Sequence, residues 1–226
     1  MTFFKNSPLA SNRTVTLSIS IPELHDLIKA LLRHWDIEPC LPGREMLELQ
    51  ASAGDTHLSL LPRNDAPETL TLPFKLESLW LSLQTHLFDP PRQHFRMPLR
   101  LRGTLRHKGA HDEFVSVSLS DAGIRFEFFR ELVRDEEITL EIPIGKTPLK
   151  IEGRVVYCVP TRNSGSMIVG VVYSLHQEQI KERIRSHLVK AALQQIGGQM
   201  ERQSYLSALS YLDLSKELKT ELKDEA

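Results

Sequence analysis

A run of basic residues in the middle of the chain is the feature that most strongly suggests chemistry. Between Pro90 and His111 the sequence contains no acidic residue but six cations. They are Arg92, Arg96, Arg100, Arg102, Arg106 and Lys108. Arginine predominates, and its planar guanidinium can pair with a phosphate and stack on a nucleobase, which a lysine ammonium cannot do. The run predicts an anion site. The alternative is a solvated basic face whose charges pair with acidic residues elsewhere.

A hydroxyl-rich turn follows shortly after these arginines. Residues 118 to 123 read Ser-Leu-Ser-Asp-Ala-Gly and join two predicted strands. The hydroxyls of Ser118 and Ser120 can donate or accept hydrogen bonds, and Gly123 allows close approach of the backbone. Such a turn is ordinary by itself, so it indicates a ligand site only in combination with the arginines.

The region before the arginines predicts a small α+β domain over residues 14–88. Alternating residues in Thr14–Ile19 are typical of a half-buried strand, and apolar residues at helical spacing predict an amphipathic helix over 22–35. Three short strands and a second helix, Leu76–Leu87, complete it. Residues 70–76 are similar to the end of a response-regulator receiver domain, but no aspartate at a strand end suits a phosphoacceptor. We therefore expect an interaction domain.

The central region, residues 89–175, is predicted to consist of strands. Asp89-Pro90-Pro91 marks its beginning, because consecutive prolines cannot continue a helix. Turn residues separate six β-rich runs, and this spacing predicts an antiparallel barrel or sandwich. The runs are Leu99–Arg106, Phe114–Leu119, Ile124–Phe129, Ile138–Ile142, Leu149–Val159 and Met167–Tyr173. A helical segment over 176–226 follows, and its charged end is expected to fray.

The order of these motifs resembles the PilZ family, whose members are β-barrels that bind the second messenger cyclic di-GMP. An R-x-x-x-R pair, Arg92 and Arg96, precedes the first strand, and the 118–123 turn joins two strands. Gly170 followed by Tyr173 is similar to the family's last strand, and a helix follows as in that family. The resemblance covers about residues 90–195. It implies an α+β protein: the N-terminal domain, then a six-stranded antiparallel PilZ-like barrel with C-terminal helices.

The resemblance also implies roles for five residues. Arg92 and Arg96 would bind phosphates and stack on guanine. Ser120 and the turn backbone would bond the edge of the second guanine, and Gly123 would permit close packing. At Ser118 the family has Asp or Asn, and a hydroxyl is a shorter and weaker partner. Losing a charged hydrogen bond of this kind costs roughly 1.5–3 kcal/mol, which is tenfold or more in affinity.

Composition excludes several other classes of protein. The formal net charge is -1, which argues against a protein that coats nucleic acid through its overall field. No segment reaches the roughly 20 apolar residues of a membrane span. Cys40 and Cys158 match no metal or disulfide spacing, so two reduced thiols in a bacterial cytoplasmic protein are expected. No metal-ligand set, nucleophile elbow or Walker loop occurs, which argues against an enzyme and a metal.

Three hypotheses about function remain. The first is a cyclic di-GMP receptor or adaptor without a further cofactor, which changes its domain arrangement on nucleotide binding and acts on an unidentified protein partner. The second is a degenerate PilZ-like interaction module that has lost its ligand, as Ser118 suggests. The third, a nucleic-acid binder that uses the arginines, is the weakest because the chain is nearly neutral.

Overall fold

The computed structural model describes residues 13–41, 46–145, 147–161, 165–174 and 178–225. The contacts divide the chain into two compact units. The first contains residues 1–93 and 192–226, and the second contains residues 94–191.

The first unit begins with a mixed sheet and two helices. Its strands are β1 (Thr14–Ile19), β2 (Glu38–Pro39), β3 (Leu47–Ala51), β4 (His57–Pro62) and β5 (Glu68–Thr71), and its helices are α1 (Pro22–His34) and α2 (Leu76–Leu87). The strand order is β2-β1-β3-β4-β5. β1 is parallel to β2 and β3, whereas β3, β4 and β5 form an antiparallel meander. A receiver domain has a parallel sheet, so the similarity at residues 70–76 does not extend to the fold.

Helix α1 forms where the sequence predicted it. Pro22 occupies its first turn, where the missing N–H has no intrahelical partner to lose. The apolar stripe that faces the core is buried, and it consists of Leu24, Leu27, Ile28, Leu31 and Leu32.

The second unit is a closed six-stranded antiparallel barrel. A short strand, β6 (Arg96–Pro98), pairs with one of the six barrel strands. The barrel strands are β7 (Arg102–His107), β8 (Ala110–Ser120), β9 (Gly123–Phe128), β10 (Glu137–Ile142), β11 (Leu149–Pro160) and β12 (Met167–Tyr173). The ring runs β8-β7-β10-β11-β12-β9 and closes through the pairing of β8 with β9. This confirms the predicted α+β class and the six-stranded barrel. Apolar side chains fill its interior, where the rings of Phe114 and Phe126 lie 4.6 Å apart.

The first predicted strand of the barrel begins later than expected. We expected it over Leu99–Arg106, but β7 begins at Arg102. Residues 99–101 form a gap between β7 and β6, a short strand that was not predicted, and the two strands pair with successive parts of β8. Pro98 lacks an N–H for the ladder, and the hydroxyl of Ser116 occupies the gap. It accepts from the N–H of Leu101 at 2.7 Å and donates to the carbonyl of Leu99. Arg96 therefore lies on a short strand separate from β7.

The chain ends in three helices. They are α3 (Glu178–Gly197), α4 (Arg202–Ala208) and α5 (Lys216–Glu225). Ile184 and Leu188 of α3 are fully buried. Arg183 of α3 donates to the carbonyl of Ile144 at 2.8 Å and to that of Thr147, in the loop between β10 and β11.

Glu136 connects two loops of the barrel, and its charge makes the stability of the fold depend on pH. Its carboxylate accepts hydrogen bonds from the Lys108 ammonium and from the N–H of Val133, and these bonds lower the pKa of Glu136 to about 2 from 4.5. Because the folded pKa is lower, the carboxylate stabilises the barrel above pH 4.5, and protonation removes this contribution as the pH falls toward 2.

We therefore expect Glu136→Gln to lower the thermal midpoint at neutral pH, and the difference from the parent to shrink between pH 4.5 and 2. Thermal unfolding followed by circular dichroism over this range measures it. Glu137→Gln, an exposed neighbour, is the control and should show a smaller difference. A difference for Glu136→Gln that is the same at every pH would contradict the assignment.

Candidate functional site

The pairing of β6 with β8 brings Arg96 to the hydroxyl-rich turn. Arg96 lies opposite Ser120 in the antiparallel ladder, and Ser118 follows two residues away on the same strand. Residues opposite each other, and residues two apart on a strand, share a face of the sheet. Met97 and Leu119, which lie between them, are fully buried on the barrel side. Arg96, Ser118 and Ser120 therefore share the outer face.

The same face continues across the barrel to a tyrosine. Ser118 lies opposite Arg125 of β9. Arg125 in turn lies opposite Gly170 of β12, and Gly170 lies opposite Tyr157 of β11. The Tyr157 ring covers Gly170 so closely that a Cβ there would lie 2.3 Å from the ring. Arg125 and Tyr157 were not predicted. A glycine inside a strand, as at Gly170, is the signal that could have indicated a ring packed on it.

Two arginine cations lie close together on this face. Burial lowers the pKa of Arg96, and the Arg125 cation lowers it as well, whereas Tyr157 and Tyr173 act in the opposite direction. A guanidinium does not lose its proton in a protein. Arg96 and Arg125 therefore both stay cationic, and an anion bound on this face can pair with them. With the Tyr157 ring alongside, the face has the groups that bind a phosphate and stack a planar base.

The three predicted turn residues have different environments. The Ser120 hydroxyl accepts from the N–H of Gly123 and donates to its carbonyl, both at 3.1 Å, so it holds the turn together. At Gly123 a Cβ would lie 2.4 Å from the carbonyl oxygen of Val171, so only glycine fits beside β12. The Ser118 hydroxyl is buried and has no hydrogen-bond partner within the described ranges.

Three other basic residues of the run lie outside this face or pair with acidic residues. Arg92 is exposed on an irregular stretch of the chain. It belongs to the first unit, whose N-terminal part ends at Gln93. Arg100 pairs with Glu127 at 3.4 Å, and Lys108 pairs with Glu136. The alternative of a paired basic surface thus describes part of the run.

Asp121, in the middle of the turn, is a buried carboxylate that lies between a histidine and an arginine. Its side chain is 6% exposed. Oδ1 lies 3.1 Å from Nδ1 of His94, and Oδ2 accepts from Nε of Arg185 at 2.7 Å. His94 stands between the two arginines of the R-x-x-x-R pair, and Arg185 belongs to α3.

The first unit has a groove of its own. It has a volume of about 710 Å³ and lies between α1 and residues 36–41. Three basic side chains of α1 line it, namely His25, Lys29 and Arg33, but so do Asp36 and Glu38. Because charges of both signs are present, the groove does not define a ligand class.

Metal ligands and membrane spans were sought in the described ranges only. There, no three side chains of His, Cys, Asp or Glu come together as a metal site would require. No helix in those ranges is both long enough and apolar enough to cross a membrane. Cys40 and Cys158 are both free thiols.

Several solved structures are similar to parts of this chain. The Bacillus subtilis inhibitor of motility (MotI/DgrA) is 13% identical, with a TM-score of 0.41, and the match covers 65% of each chain. The PilZ domain of Escherichia coli YcgR with c-di-GMP is 10% identical, with a TM-score of 0.40, and the match covers 48% of this chain and 95% of that one. The Klebsiella MrkH–c-di-GMP complex is 18% identical, with a TM-score of 0.39 and coverage of 46% and 52%.

The chain thus spans 65% of the Bacillus protein and about half of the Klebsiella protein. Among curated protein sequences, none matches this chain. The PilZ domain family model matches residues 90–190, a stretch that includes β6 to β12 and the first part of α3. This part of the chain, with its arginine pair and its closed barrel, therefore belongs to the PilZ domain family.

Proposed function

We propose that the protein is a cytoplasmic cyclic di-GMP receptor or adaptor, rather than an enzyme, and that the nucleotide binds on the outer face of the barrel. The observation that carries the proposal is the strand register, which places two guanidinium groups, Arg96 and Arg125, on one face with the ring of Tyr157. A cyclic dinucleotide has two phosphates and two planar guanines, so it offers charge to the arginines and a stacking surface to the ring.

The five residues predicted from the sequence take part in this proposal in two ways. Arg92 and Arg96 bind phosphates and stack on guanine, and Ser118 faces the ligand with its unused hydroxyl. Ser120 and Gly123 shape the turn, since the hydroxyl of Ser120 is engaged with Gly123. The arginine segment joins the two units along the chain. When cyclic di-GMP binds to this segment, the domain arrangement changes, and the change acts on a protein partner.

Isothermal titration with cyclic di-GMP, with GTP as the control nucleotide, tests the proposal. We expect saturable binding of cyclic di-GMP and at least tenfold weaker binding of GTP, because one GTP cannot place two guanines on the face at once. Equal binding of both nucleotides would contradict a dedicated site. So would binding to random single-stranded DNA that is tighter than binding to cyclic di-GMP and falls steeply with salt.

A degenerate interaction module is the second candidate, and the Ser118 environment favours it. Its hydroxyl is buried, has no partner in the described ranges, and stands where the family has a residue that binds a guanine edge. If the parent does not bind cyclic di-GMP and Ser118→Asp does, the protein is this module. If both bind, and Ser118→Asp binds about tenfold more tightly, the receptor proposal holds.

A further inference from the structure

The carboxylate of Asp121 joins three parts of the barrel unit. Each of its oxygens has a partner, His94 for Oδ1 and Arg185 for Oδ2. A buried carboxylate is costly unless it is paired, so these contacts hold both partners at the turn. None of the roles assigned above uses this residue.

The two partners come from opposite ends of the barrel sequence. His94 lies two residues before Arg96, immediately ahead of β6, which is only three residues long. Arg185 lies in the first half of α3, where it also contacts Glu178 at 2.9 Å and Glu182 at 3.4 Å. Asp121 therefore fastens both the short strand with the binding arginine and the helix that follows the barrel.

We propose that Asp121 is a positioning residue of the nucleotide site: through His94 it orders the segment that presents Arg96, and through Arg185 it fastens α3 to the same turn. This inference rests on the proposed function as far as the nucleotide is concerned. The physical reason is preorganisation. A segment that is already ordered loses less conformational entropy on binding a ligand, so releasing it weakens binding even where no ligand contact is removed.

The first test is a double-mutant cycle on nucleotide affinity. Asp121→Asn keeps the shape of the side chain and removes its charge, and His94→Ala removes the partner on the arginine segment. We expect each to weaken cyclic di-GMP binding about tenfold, and the double variant to bind no more weakly than the weaker single variant. Normal binding by Asp121→Asn, or losses that multiply in the double variant, would overturn the positioning role.

A matched control separates positioning from a general loss of stability. Arg183→Gln removes the two hydrogen bonds from the Arg183 guanidinium of α3 to the loop between β10 and β11, and it leaves the turn untouched. We expect it to lower the thermal midpoint as Asp121→Asn does, while nucleotide affinity stays unchanged. If Arg183→Gln weakens binding as much as Asp121→Asn, the effect is one of stability alone and the proposal fails.

The second test needs no nucleotide. It therefore tests the tether, meaning the contacts of Asp121 with His94 and Arg185, separately from the proposed function. Amide hydrogen exchange is compared among the parent, Asp121→Asn and Arg183→Gln. Asp121→Asn should exchange faster both in residues 93–97 and in the first half of α3, and Arg183→Gln only in α3. Unchanged exchange at 93–97 in Asp121→Asn would overturn the tether, whether or not the parent binds cyclic di-GMP.

Discussion

Arg96→Ala should weaken cyclic di-GMP binding by about ten- to hundredfold, since each lost charge-assisted hydrogen bond costs about 1.5–3 kcal/mol. The guanidinium is partly desolvated on the outer face of the barrel. Its removal therefore costs ligand contacts without opening a cavity in the barrel interior. The fold should remain intact, and the thermal midpoint should change little. Isothermal titration and thermal unfolding of the same preparation measure the two quantities.

Arg106→Ala is the matched control for this prediction. Arg106 comes from the same basic run, but it lies at the far end of β7, opposite His111, and its Nε donates to that ring. The Arg106→Ala substitution removes the same charge from the barrel as Arg96→Ala but leaves the turn unchanged. The affinity for cyclic di-GMP should therefore stay within about twofold of the parent. Arg92→Ala should reduce affinity as Arg96→Ala does. Undiminished binding by both Arg92→Ala and Arg96→Ala would remove the site assignment.

Gly123→Ala should destabilise the barrel itself. The new Cβ would lie 2.4 Å from the carbonyl oxygen of Val171, which is backbone and cannot rotate away. Gly123 pairs with Val172 in the ladder that joins β9 to β12, one of the six ladders of the barrel ring. The strands must separate, and overpacking of this kind costs about 1–3 kcal/mol or more in the free energy of unfolding. Unfolding in urea measures it.

Gly198→Ala controls for the general effect of replacing glycine. Its added Cβ would meet only the carbonyl oxygen of Gln195, at an ordinary 3.9 Å. Its free energy of unfolding should stay within about 0.5 kcal/mol of the parent. If Gly123→Ala unfolds at the same urea concentration as the parent, the close packing of β9 on β12 is not as described here.

Local sequence patterns were sufficient for most of the elements. Helix α1 has its apolar stripe and its N-terminal proline, and the six barrel strands have alternating residues between turn signals, so both were predicted within a few residues. The end of the chain was the exception. We expected it to fray, but residues 216–225 form α5, in which Leu222 is buried. The burial of one leucine depends on the tertiary structure and leaves little trace in a charged sequence.

The arginine segment, the turn and the barrel strands could all be predicted from the amino-acid sequence, because alternation and turn chemistry are local properties of the chain. Which other residues share the outer face with Arg96 depends on how the strands pair. Arg125 and Tyr157 lie 32 residues apart, and the strand register alone brings them to Gly170. Asp121 is a turn residue in the sequence. It meets Arg185, 64 residues away, because the barrel closes and α3 follows it.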